Sequence, residues 1–307
     1  MGLAVGPIRL RLPATSANLG AAFDSAAVAL ALHLTIEAAE AEAYSITATG
    51  EDAELCARLK DNLILETYKS LLAREGKPAV PLAIRMDNRI PLGMGCGSSA
   101  AGRLAAIALA AHFGGLGWDS ERILAEACAL EGHPDNAAAC WLGGLAVAAM
   151  EGGRVHVARV EPPAAWRAMV VLPGEALATS KARAVLPETY SRADAVANIQ
   201  AAALLGLAFA QGRGELLRPA MQDRLHQPYR AEMCALLPLL LPLAGSAGIL
   251  GVALSGAGPS VLLIVDRIES LEAAKEAVCA AVTGQSELRI LAVEFESIGA
   301  AQTVREL

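Results

Sequence analysis

A glycine-rich segment that leads directly into an apolar helix constrains this chain more than any other feature of its sequence. The segment reads Pro91-Leu-Gly-Met-Gly-Cys-Gly-Ser-Ser-Ala-Ala101. Because Gly93, Gly95 and Gly97 lack Cβ atoms, the backbone can take positive φ angles and press its N–H groups against an anion. Residues 100–112 are apolar on all sides, which predicts a buried helix directly behind the loop.

The start of that helix predicts what the loop holds. Ser98 and Ser99 lie where the helix must begin, so unpaired N–H groups and the positive end of the helix dipole face the loop. Their hydroxyls can bond phosphate oxygens or a bound Mg²⁺. The alternative is a flexible turn that merely lets the helix pack closely. The candidate ATP-binding residues of the loop are Pro91, Leu92, Gly93, Met94, Gly95, Cys96, Gly97, Ser98, Ser99, Ala100 and Ala101.

Two common nucleotide-binding loops do not match this segment. A Walker A loop requires Gly-Lys-Ser/Thr, and the segment contains no lysine. A dinucleotide fingerprint requires a third glycine, whereas the spacing from Gly93 and Gly95 reaches Ser98.

Composition and charge exclude several classes of protein. Hydrophobic residues make up 54% of the 307 residues, so we expect two packed lobes and little disorder. The net charge of −7 and the lack of a basic patch argue against a partner that is a nucleic acid. The six cysteines form no CxxC pair, which argues against a zinc site or a disulfide framework and favours the cytoplasm.

The sequence predicts no membrane association. The N-terminus does not match a signal peptide, and Gly, Pro or charged residues interrupt the apolar stretches before the roughly 18 residues of a span. If the chain assembles, a homodimer is expected, because most soluble oligomers are symmetric dimers.

Strands and helices are predicted to be mixed without regular βαβ alternation, which indicates an α+β fold. Pro162-Pro163 is the predicted boundary between an N-terminal lobe, residues 1–161, and a C-terminal lobe, residues 162–307. Pro13 is expected to end the first strand, and residues 132–136 are expected to form a loop. The predicted strands are 8–12, 32–38, 44–49, 82–86, 145–150, 168–172, 251–254, 261–265 and 288–294. The predicted helices are 63–74, 100–112, 120–130, 191–207, 230–237 and 270–282.

Three segments, in order along the chain, resemble the motifs of the GHMP kinases, which include galactokinases, homoserine kinases and mevalonate kinases. Pro13-Ala-Thr-Ser-Ala-Asn-Leu-Gly20, continuing to Phe23-Asp24, resembles the N-terminal motif. The glycine-rich loop resembles the central motif, and Ser255-Gly-Ala-Gly-Pro-Ser260 resembles the C-terminal one. Together the three motifs span most of the chain.

Within this superfamily the sequence is most similar to the homoserine kinases. Gly132-His-Pro-Asp-Asn136 and Ala182-Arg183 are typical of them. The resemblance implies a ribosomal-S5-like N-terminal lobe and a ferredoxin-like C-terminal lobe. It also implies that ATP and Mg²⁺ are used to phosphorylate the hydroxyl of L-homoserine, a step towards threonine. Cys96 and Ala137 replace residues that are usual in the family, and both changes affect packing rather than chemistry.

The resemblance also implies how the acceptor is bound. Arg183 and Arg230 clamp its carboxylate, since a guanidinium matches two oxygens. Asp24 takes its ammonium group, and Asn18 orients its hydroxyl. Surface ion pairs and turn capping are the alternatives for such residues. The candidate substrate-binding residues are Asn18, Asp24, His133, Asp135, Arg183, Arg230, Gly256 and Gly258.

Catalysis is expected to proceed without a strong base, because Asn136 stands where several relatives have an Asp. Direct attack by the hydroxyl is feasible, since phosphoryl transfer depends on positioning and charge stabilisation. Glu126 is predicted to hold Mg²⁺ opposite Ser98, with Glu131 as the alternative. The candidate catalytic residues are Asn18, Glu126, Asn136, Thr179 and Arg183, and the candidate metal ligands are Ser98 and Glu126.

Two further alternatives stay open from the sequence. Asn62 is expected either to contact the nucleotide or to cap the helix that follows it. The chain as a whole is expected to be a homoserine kinase, another GHMP kinase acting on mevalonate or a sugar, or a non-catalytic sensor with the same fold.

Overall fold

A seven-stranded sheet carries the N-terminal part of the chain in the computed structural model, which describes residues 5–285 and 287–307. Its strands are β1 (Ile8–Asn18), β2 (Ala22–Glu40), β3 (Ser45–Gly50), β4 (Leu82–Asn88), β5 (Leu145–Glu151), β6 (Arg154–Val160) and β11 (Arg305–Glu306). The order is β11-β1-β2-β4-β3, while β5 pairs with β2 and with β6. The pairs are antiparallel except β3 with β4.

One buried helix organises the layer packed against this sheet. The helices of the layer are α1 (Ala53–Cys56), α2 (Leu63–Arg74), α3 (Ser98–Phe113), α4 (Ser120–Glu131) and α5 (Asp135–Leu142). Helix α3 contacts α2, α4, α5 and β1. Its small apolar side chains are buried around most of its circumference, as predicted, because neighbouring elements surround it.

A four-stranded antiparallel sheet forms the second part of the fold. Its strands are β7 (Arg167–Leu172), β8 (Ile249–Leu254), β9 (Val261–Val265) and β10 (Arg289–Val293), in the order β10-β7-β9-β8. Helix α7 (Arg192–Gln211) follows β7, and α11 (Leu271–Ala281) lies between β9 and β10. The order βαββαβ is that of a ferredoxin-like unit, and the expected α+β class is confirmed. The shorter helices are α6 (Thr179–Ala184), α8 (Leu217–Ala220), α9 (Gln227–Arg230) and α10 (Leu236–Leu240).

The end of the chain returns to the first sheet. Phe295 forms a bridge with Leu30, and β11 pairs with β1. The segment after β10 therefore completes the N-terminal sheet, although it follows the predicted boundary at 161/162. That boundary stays a prediction. The first four residues of the predicted N-terminal lobe lie outside the described part of the chain.

Several predicted elements were wrong. Pro13 does not end β1, which continues to Asn18 through a register shift immediately after the proline, where the missing N–H is tolerated. The expected loop 132–136 ends early, since α5 begins at Asp135. Strand β6 was not predicted at all, although Arg154 to Val157 alternate polar and apolar; none of its side chains is buried.

The predicted helix 230–237 was also wrong. Helix α9 ends at Arg230, a 3₁₀ turn spans Ala231–Met233, and α10 begins at Leu236. Pro238 lies in the first turn of α10, where a residue without an N–H costs no hydrogen bond.

Helix α7 is long and apolar enough to cross a membrane by length and composition alone, with a mean hydropathy of 1.5. No membrane-spanning segment was expected from the sequence. Its Asn198, Leu205 and Phe209 are buried against the rest of the protein, and a core helix passes the same test.

We expect Leu109→Ala to destabilise the protein by about 2–5 kcal/mol, because this side chain of α3 is fully buried. Leu207→Ala in α7 is the matched control, since its side chain is 55% exposed. Urea unfolding measures both changes. Similar losses of free energy in the two variants would contradict the central role of α3.

Candidate active site

A cavity of about 450 Å³ lies where the two sheets meet. The glycine-rich loop lines one part of it, and residues 177–179 and 256–257 line the side that belongs to the second sheet. Its far end is largely apolar, with Leu63, Met86 and Ile90 in the wall. The cavity therefore combines an apolar compartment with a polar loop, which is the usual composition of a small-molecule site.

The glycines of the loop adopt the backbone conformation that the sequence predicted. Gly93, Gly95 and Gly97 have φ angles of +69°, +73° and +72°. A Cβ atom at Gly97 would lie 1.9 Å from Thr15 Oγ1, and one at Gly95 would lie 2.2 Å from the Ser255 carbonyl oxygen. Side chains are thus excluded from the loop by both conformation and space.

The loop presents free N–H groups to the cavity. The first intrahelical hydrogen bond of α3 runs from Ala101 N to Gly97 O (3.1 Å). The N–H groups of Ser98, Ser99 and Ala100 precede that bond and have no partner within the helix. Groups of this kind at the positive end of a long helix, next to the cavity, can bind an anion.

Not every loop residue predicted to bind ATP faces the cavity. Pro91, Met94, Cys96 and Ala101 lie outside the cavity lining. Burial raises the pKa of the Cys96 thiol to about 12, so the thiol stays protonated and packs as a small apolar group. Side chains of these four residues support the loop rather than the ligand.

The N-terminal and C-terminal motifs brace the loop from behind. Thr15 N donates to Cys96 O (3.0 Å), and Ser255 Oγ donates to Gly95 O (2.7 Å). Ser255 Oγ also lies 2.8 Å from Ser16 Oγ, and both serines are fully buried. Gly258 was predicted to contact the substrate but lies outside the cavity lining, and its carbonyl oxygen lies beside Gly95.

Glu131, and not Glu126, lies at the glycine-rich loop, which we also call the phosphate loop. Glu131 Oε1 accepts a hydrogen bond from Ser99 Oγ (2.9 Å) and forms an ion pair with Arg103 (3.2 Å). Glu131 also lines the cavity. Glu126 is buried and pairs with Arg74 (2.7 Å) outside the cavity lining. The placement of Glu126 opposite Ser98 was wrong, because five residues along a helix correspond to a rotation of roughly 140° between the two glutamates.

An ion pair joins two of the predicted acceptor-binding residues. Arg183 donates to both oxygens of Asp24, at 2.7 and 2.9 Å. The hydrogen bonds and charge of Asp24 raise the pKa of Arg183. In the free site the predicted carboxylate clamp and the predicted ammonium partner therefore neutralise each other.

Arg230 is different, because it is 1% exposed and has no carboxylate partner among the described residues. Its Nε donates to Ala182 O (3.0 Å), and its Nη1 lies 3.1 Å from His226 Nδ1. Burial lowers the pKa of Arg230, and the charge of Arg183 lowers it further. A buried guanidinium with neutral partners that lines the cavity is a strong site for an incoming anion.

His133 and Asp135 form a charged pair at the start of α5. Their closest atoms, His133 Nδ1 and Asp135 Oδ1, are 2.5 Å apart, and both residues line the cavity. Burial alone would lower the pKa of His133, but the hydrogen bond to Asp135 and the charges of Asp135 and Asp24 raise it above its usual value. Asp24, His133 and Asp135 thus give this end of the cavity several polar groups close together.

Asn136 and Asn18 are both held by neighbours. Thr15 Oγ1 donates to Asn136 Oδ1 (2.6 Å), which fixes the amide at the cavity wall. Asn18 Nδ2 donates to Gly256 O (2.8 Å), and Asn18 Oδ1 accepts from Asp24 N (3.0 Å). Asn18 therefore shapes the segment that leads to Asp24, as the turn-capping alternative predicted, while it also lines the cavity. We call residues 19–24, which run from the end of β1 into the start of β2, the Asp24 loop.

Asn62 caps α2, which was the structural alternative for this residue. Its Oδ1 accepts from Ile64 N and Leu65 N, and its Nδ2 donates to Cys56 O and Arg58 O. These bonds use its amide hydrogens and its oxygen. Asn62 lines the cavity, so it positions the wall of the apolar compartment rather than offering a free polar group. Thr179 also lines the cavity, at the first position of α6.

Sequence reasoning missed the residues that act behind the site. Thr15 and Ser16 lie inside the N-terminal motif, so their roles in bracing the loop had a signal that was not used. Phe23 belongs to the continuation of the same motif, and that signal was not used either. His226 lies outside the three motifs, and its partners Gly20 and Phe23 are distant in sequence. The ring of Phe23 stacks on His226 at 5.1 Å, and the guanidinium of Arg230 lies 5.4 Å from the Phe23 ring.

Two family models match separate segments of this chain. The family described as "GHMP kinases N terminal domain" matches residues 62–144, and "GHMP kinases C terminal" matches residues 205–284. A homoserine kinase of Solibacter usitatus is 44% identical over 259 residues, which cover 84% of this chain and 85% of that protein. A homoserine kinase of Deinococcus radiodurans is 39% identical over 261 residues, covering 85% of each.

Solved structures share the fold. A homoserine kinase from Cytophaga hutchinsonii has a TM-score of 0.80 at 22% identity, with 99% of this chain and 98% of that one covered. A mevalonate kinase from L. major, solved with R-mevalonate, has a TM-score of 0.68 at 14% identity, with 96% of each chain covered. At these identities the likeness shows the two-lobed fold and carries no conclusion about the acceptor.

We expect Gly97→Ala to weaken ATP binding at least roughly tenfold, because the new methyl group would collide with Thr15 and displace the loop. Gly117→Ala is the matched control, since Gly117 also has a positive φ, +64°, but has open space around it. Both variants bear the αL cost, roughly 1–2 kcal/mol. Calorimetric titration with ATP separates the collision with Thr15 from this backbone cost. Equal affinities of the two variants for ATP would contradict the proposed loop geometry.

The His133–Asp135 pair predicts a pH dependence of stability. Because the folded state raises the pKa of His133 above 6.5, its stabilising contribution is complete below that pH and is lost as the pH rises through the raised value. His133→Gln should remove this part of the decline. Urea unfolding of both proteins from about pH 6 to about pH 9 measures it. Parallel curves for the two proteins would contradict the pairing.

Proposed function

We infer that this chain, which belongs to the GHMP kinase family, phosphorylates the hydroxyl of L-homoserine with ATP as the donor. The observation that carries the choice of acceptor is the buried guanidinium of Arg230, which faces the cavity of the phosphate loop without a carboxylate partner among the described residues. Asp24 and Asp135 line the same cavity and suit an ammonium group. An amino acid supplies both charges.

ATP is proposed to lie along the cavity with its phosphates on the glycine-rich loop. The N–H groups at the start of α3 and the helix dipole then neutralise part of the triphosphate charge. The apolar compartment beside Leu63, Met86 and Ile90 accommodates the adenine. This local arrangement binds an anion although the whole chain carries a net charge of −7.

The residues at the loop fit a Mg²⁺ ion. Ser98, Ser99 and Glu131 offer hydroxyl and carboxylate oxygens, which are the ligands that Mg²⁺ prefers, next to the N–H groups proposed to hold the phosphates. We propose that Glu131 and Ser98 hold the ion, which would neutralise charge on the transferred phosphoryl group. Ser99 keeps Glu131 oriented through its hydrogen bond.

The acceptor is proposed to lie between Arg230 and the Asp24 loop. Arg230 takes its carboxylate, and Asp24 exchanges part of its pairing with Arg183 for the ammonium group. Arg183, held by Asp24 but partly exposed to the cavity, assists the carboxylate or the incoming phosphoryl group. His133 and Thr179 contribute hydrogen bonds to the hydroxyl end.

The transfer itself is proposed to proceed by direct attack. The acceptor oxygen forms a bond to the γ-phosphorus. The bond between that phosphorus and the β,γ-bridging oxygen breaks, and ADP leaves. Asn136 cannot accept the hydroxyl proton, because its amide is not basic, so the proton passes to a phosphate oxygen. Positioning and charge stabilisation supply the rate enhancement in such loose transfers.

We propose the cytoplasm as the compartment, in keeping with the six free cysteines. A homodimer stays a prediction.

A panel assay tests the proposed function. Purified protein with MgATP is mixed with L-homoserine, mevalonate, galactose or no acceptor, and ADP release is measured. Release stimulated by homoserine alone is expected. Stimulation by mevalonate or galactose instead would show that homoserine is not the acceptor. Tight ATP binding without turnover would indicate a sensor.

We expect Glu131→Gln to lower kcat roughly 100-fold, because it removes the charge proposed to hold the metal. Glu126→Gln, on the same helix, is the matched control and should change the stability of the protein rather than kcat, since Glu126 pairs with Arg74 outside the cavity lining. Steady-state kinetics at several Mg²⁺ concentrations measure both. Equal loss of turnover in the two variants would exclude Glu131 as the specific ligand.

A further inference from the structure

His226 is a fully buried histidine that does not line the cavity. It nevertheless contacts the Arg230 guanidinium, since His226 Nδ1 lies 3.1 Å from Arg230 Nη1. On its other side, His226 Nε2 lies 2.8 Å from the carbonyl oxygen of Gly20. The imidazole therefore joins the end of α9 to the loop that follows β1.

The contacts at Nδ1 and Nε2 indicate the state of the ring, and Asp223 Oδ2 also lies 3.5 Å from Nε2. A guanidinium can only donate, so Nδ1 is an acceptor and Nε2 carries the hydrogen that is donated to Gly20 O. Burial lowers the pKa of His226, the charge of Asp223 opposes this, and the charge of Arg230 adds to it. The neutral imidazole is thus well suited to accept from one side and donate to the other.

The loop held by His226 is the one that carries Asp24. It runs from the end of β1 into the first three residues of β2, the last of which is Asp24, and Asn18 fixes its other side through Asp24 N. The ring of Phe23 packs beside His226 and the two arginines. Its centre lies 5.1 Å from the His226 ring, 5.4 Å from the Arg230 guanidinium and 5.7 Å from that of Arg183. The ring of the residue that precedes Asp24 therefore contacts both guanidinium groups of the proposed acceptor site.

The guanidinium of Arg230 has few other restraints. Nε donates to Ala182 O, and Nη1 has a long second contact with Gly256 O (3.4 Å). Its Nη2 has no hydrogen bond to a described residue, and the side chain borders the cavity. Without His226 the side chain would lose its closest contact at Nη1, and the open edge would no longer have a fixed direction.

We propose that His226 is a positioning residue that fixes the Arg230 guanidinium relative to the Asp24 loop, and so sets the separation between the groups that take the two charges of the acceptor. The proposal rests on the proposed function, because it assumes an acceptor with a carboxylate and an ammonium group. It concerns acceptor affinity and not the transfer step, since His226 touches neither ligand.

Two amide substitutions separate the two contacts of the ring. In His226→Asn the amide oxygen can occupy the place of Nδ1 and still accept from Arg230. In His226→Gln the amide reaches the place of Nε2 and keeps the bond to Gly20 O instead. We expect His226→Gln to raise KM for homoserine roughly 10- to 100-fold, with a smaller rise in His226→Asn, while KM for ATP changes less than about twofold.

A double-mutant cycle with Arg230→Met provides the stricter test. If His226 acts through Arg230, His226→Gln raises KM for homoserine in the wild-type background but has little further effect in Arg230→Met. A merely structural histidine would show the same factor in both backgrounds, or would raise KM for ATP in parallel, and either result overturns the proposal. Thermal unfolding of each variant at saturating ATP shows whether the compared proteins are folded.

The outcome for wild-type protein is read separately. If wild type does not turn over homoserine, the proposed function fails and this inference fails with it. If wild type turns over homoserine and the His226→Gln and His226→Asn variants keep its KM, the assignment of His226 fails while the proposed function stands.

Discussion

Hydrogen bonds that hold the phosphate loop from behind are the contacts on which the rest of this site depends. A loop with three glycines at positive φ has no side chains of its own to maintain its shape. Thr15 N and Ser255 Oγ bind the carbonyl oxygens of Cys96 and Gly95, so one contact comes from the first strand and the other from the second sheet. Buried bonds of this kind are costly to break, because the freed groups cannot reach water.

The same contacts place the acceptor groups. Asn18 ends β1 and Asp24 lies at the start of β2, and Asn18 Nδ2 donates to Gly256 O in the segment that follows Ser255. Because the braces of the loop and the walls of the acceptor site belong to the same short segments, a shift of one would shift the other. Phosphoryl transfer needs its two reactants held at a fixed distance, and this shared support provides it.

The charges of the site follow a clear electrostatic pattern. Arg183 and Asp24 neutralise each other in the free site, whereas Arg230 is buried against neutral acceptors. A buried cation without a counter-ion is unfavourable, so an incoming carboxylate gains more there than at an exposed arginine. The free energy that the buried, unpaired charge of Arg230 costs the folded protein is thus partly recovered when an anionic ligand binds. Polar neighbours such as His226 reduce this cost and direct the guanidinium.

The sequence by itself determined the α+β class, the phosphate loop before α3 and the ordered motifs of the family, because these depend on local conformation and on residue types at short spacing. Gly97 could be predicted in this way, since positive φ and a following helix are local properties. The tertiary structure alone decided that Glu131 rather than Glu126 reaches the loop, that Asp24 pairs with Arg183, and that β1 continues past Pro13. Each of those outcomes depends on which side of an element faces a partner that is distant in sequence, and local periodicity carries no information about that partner.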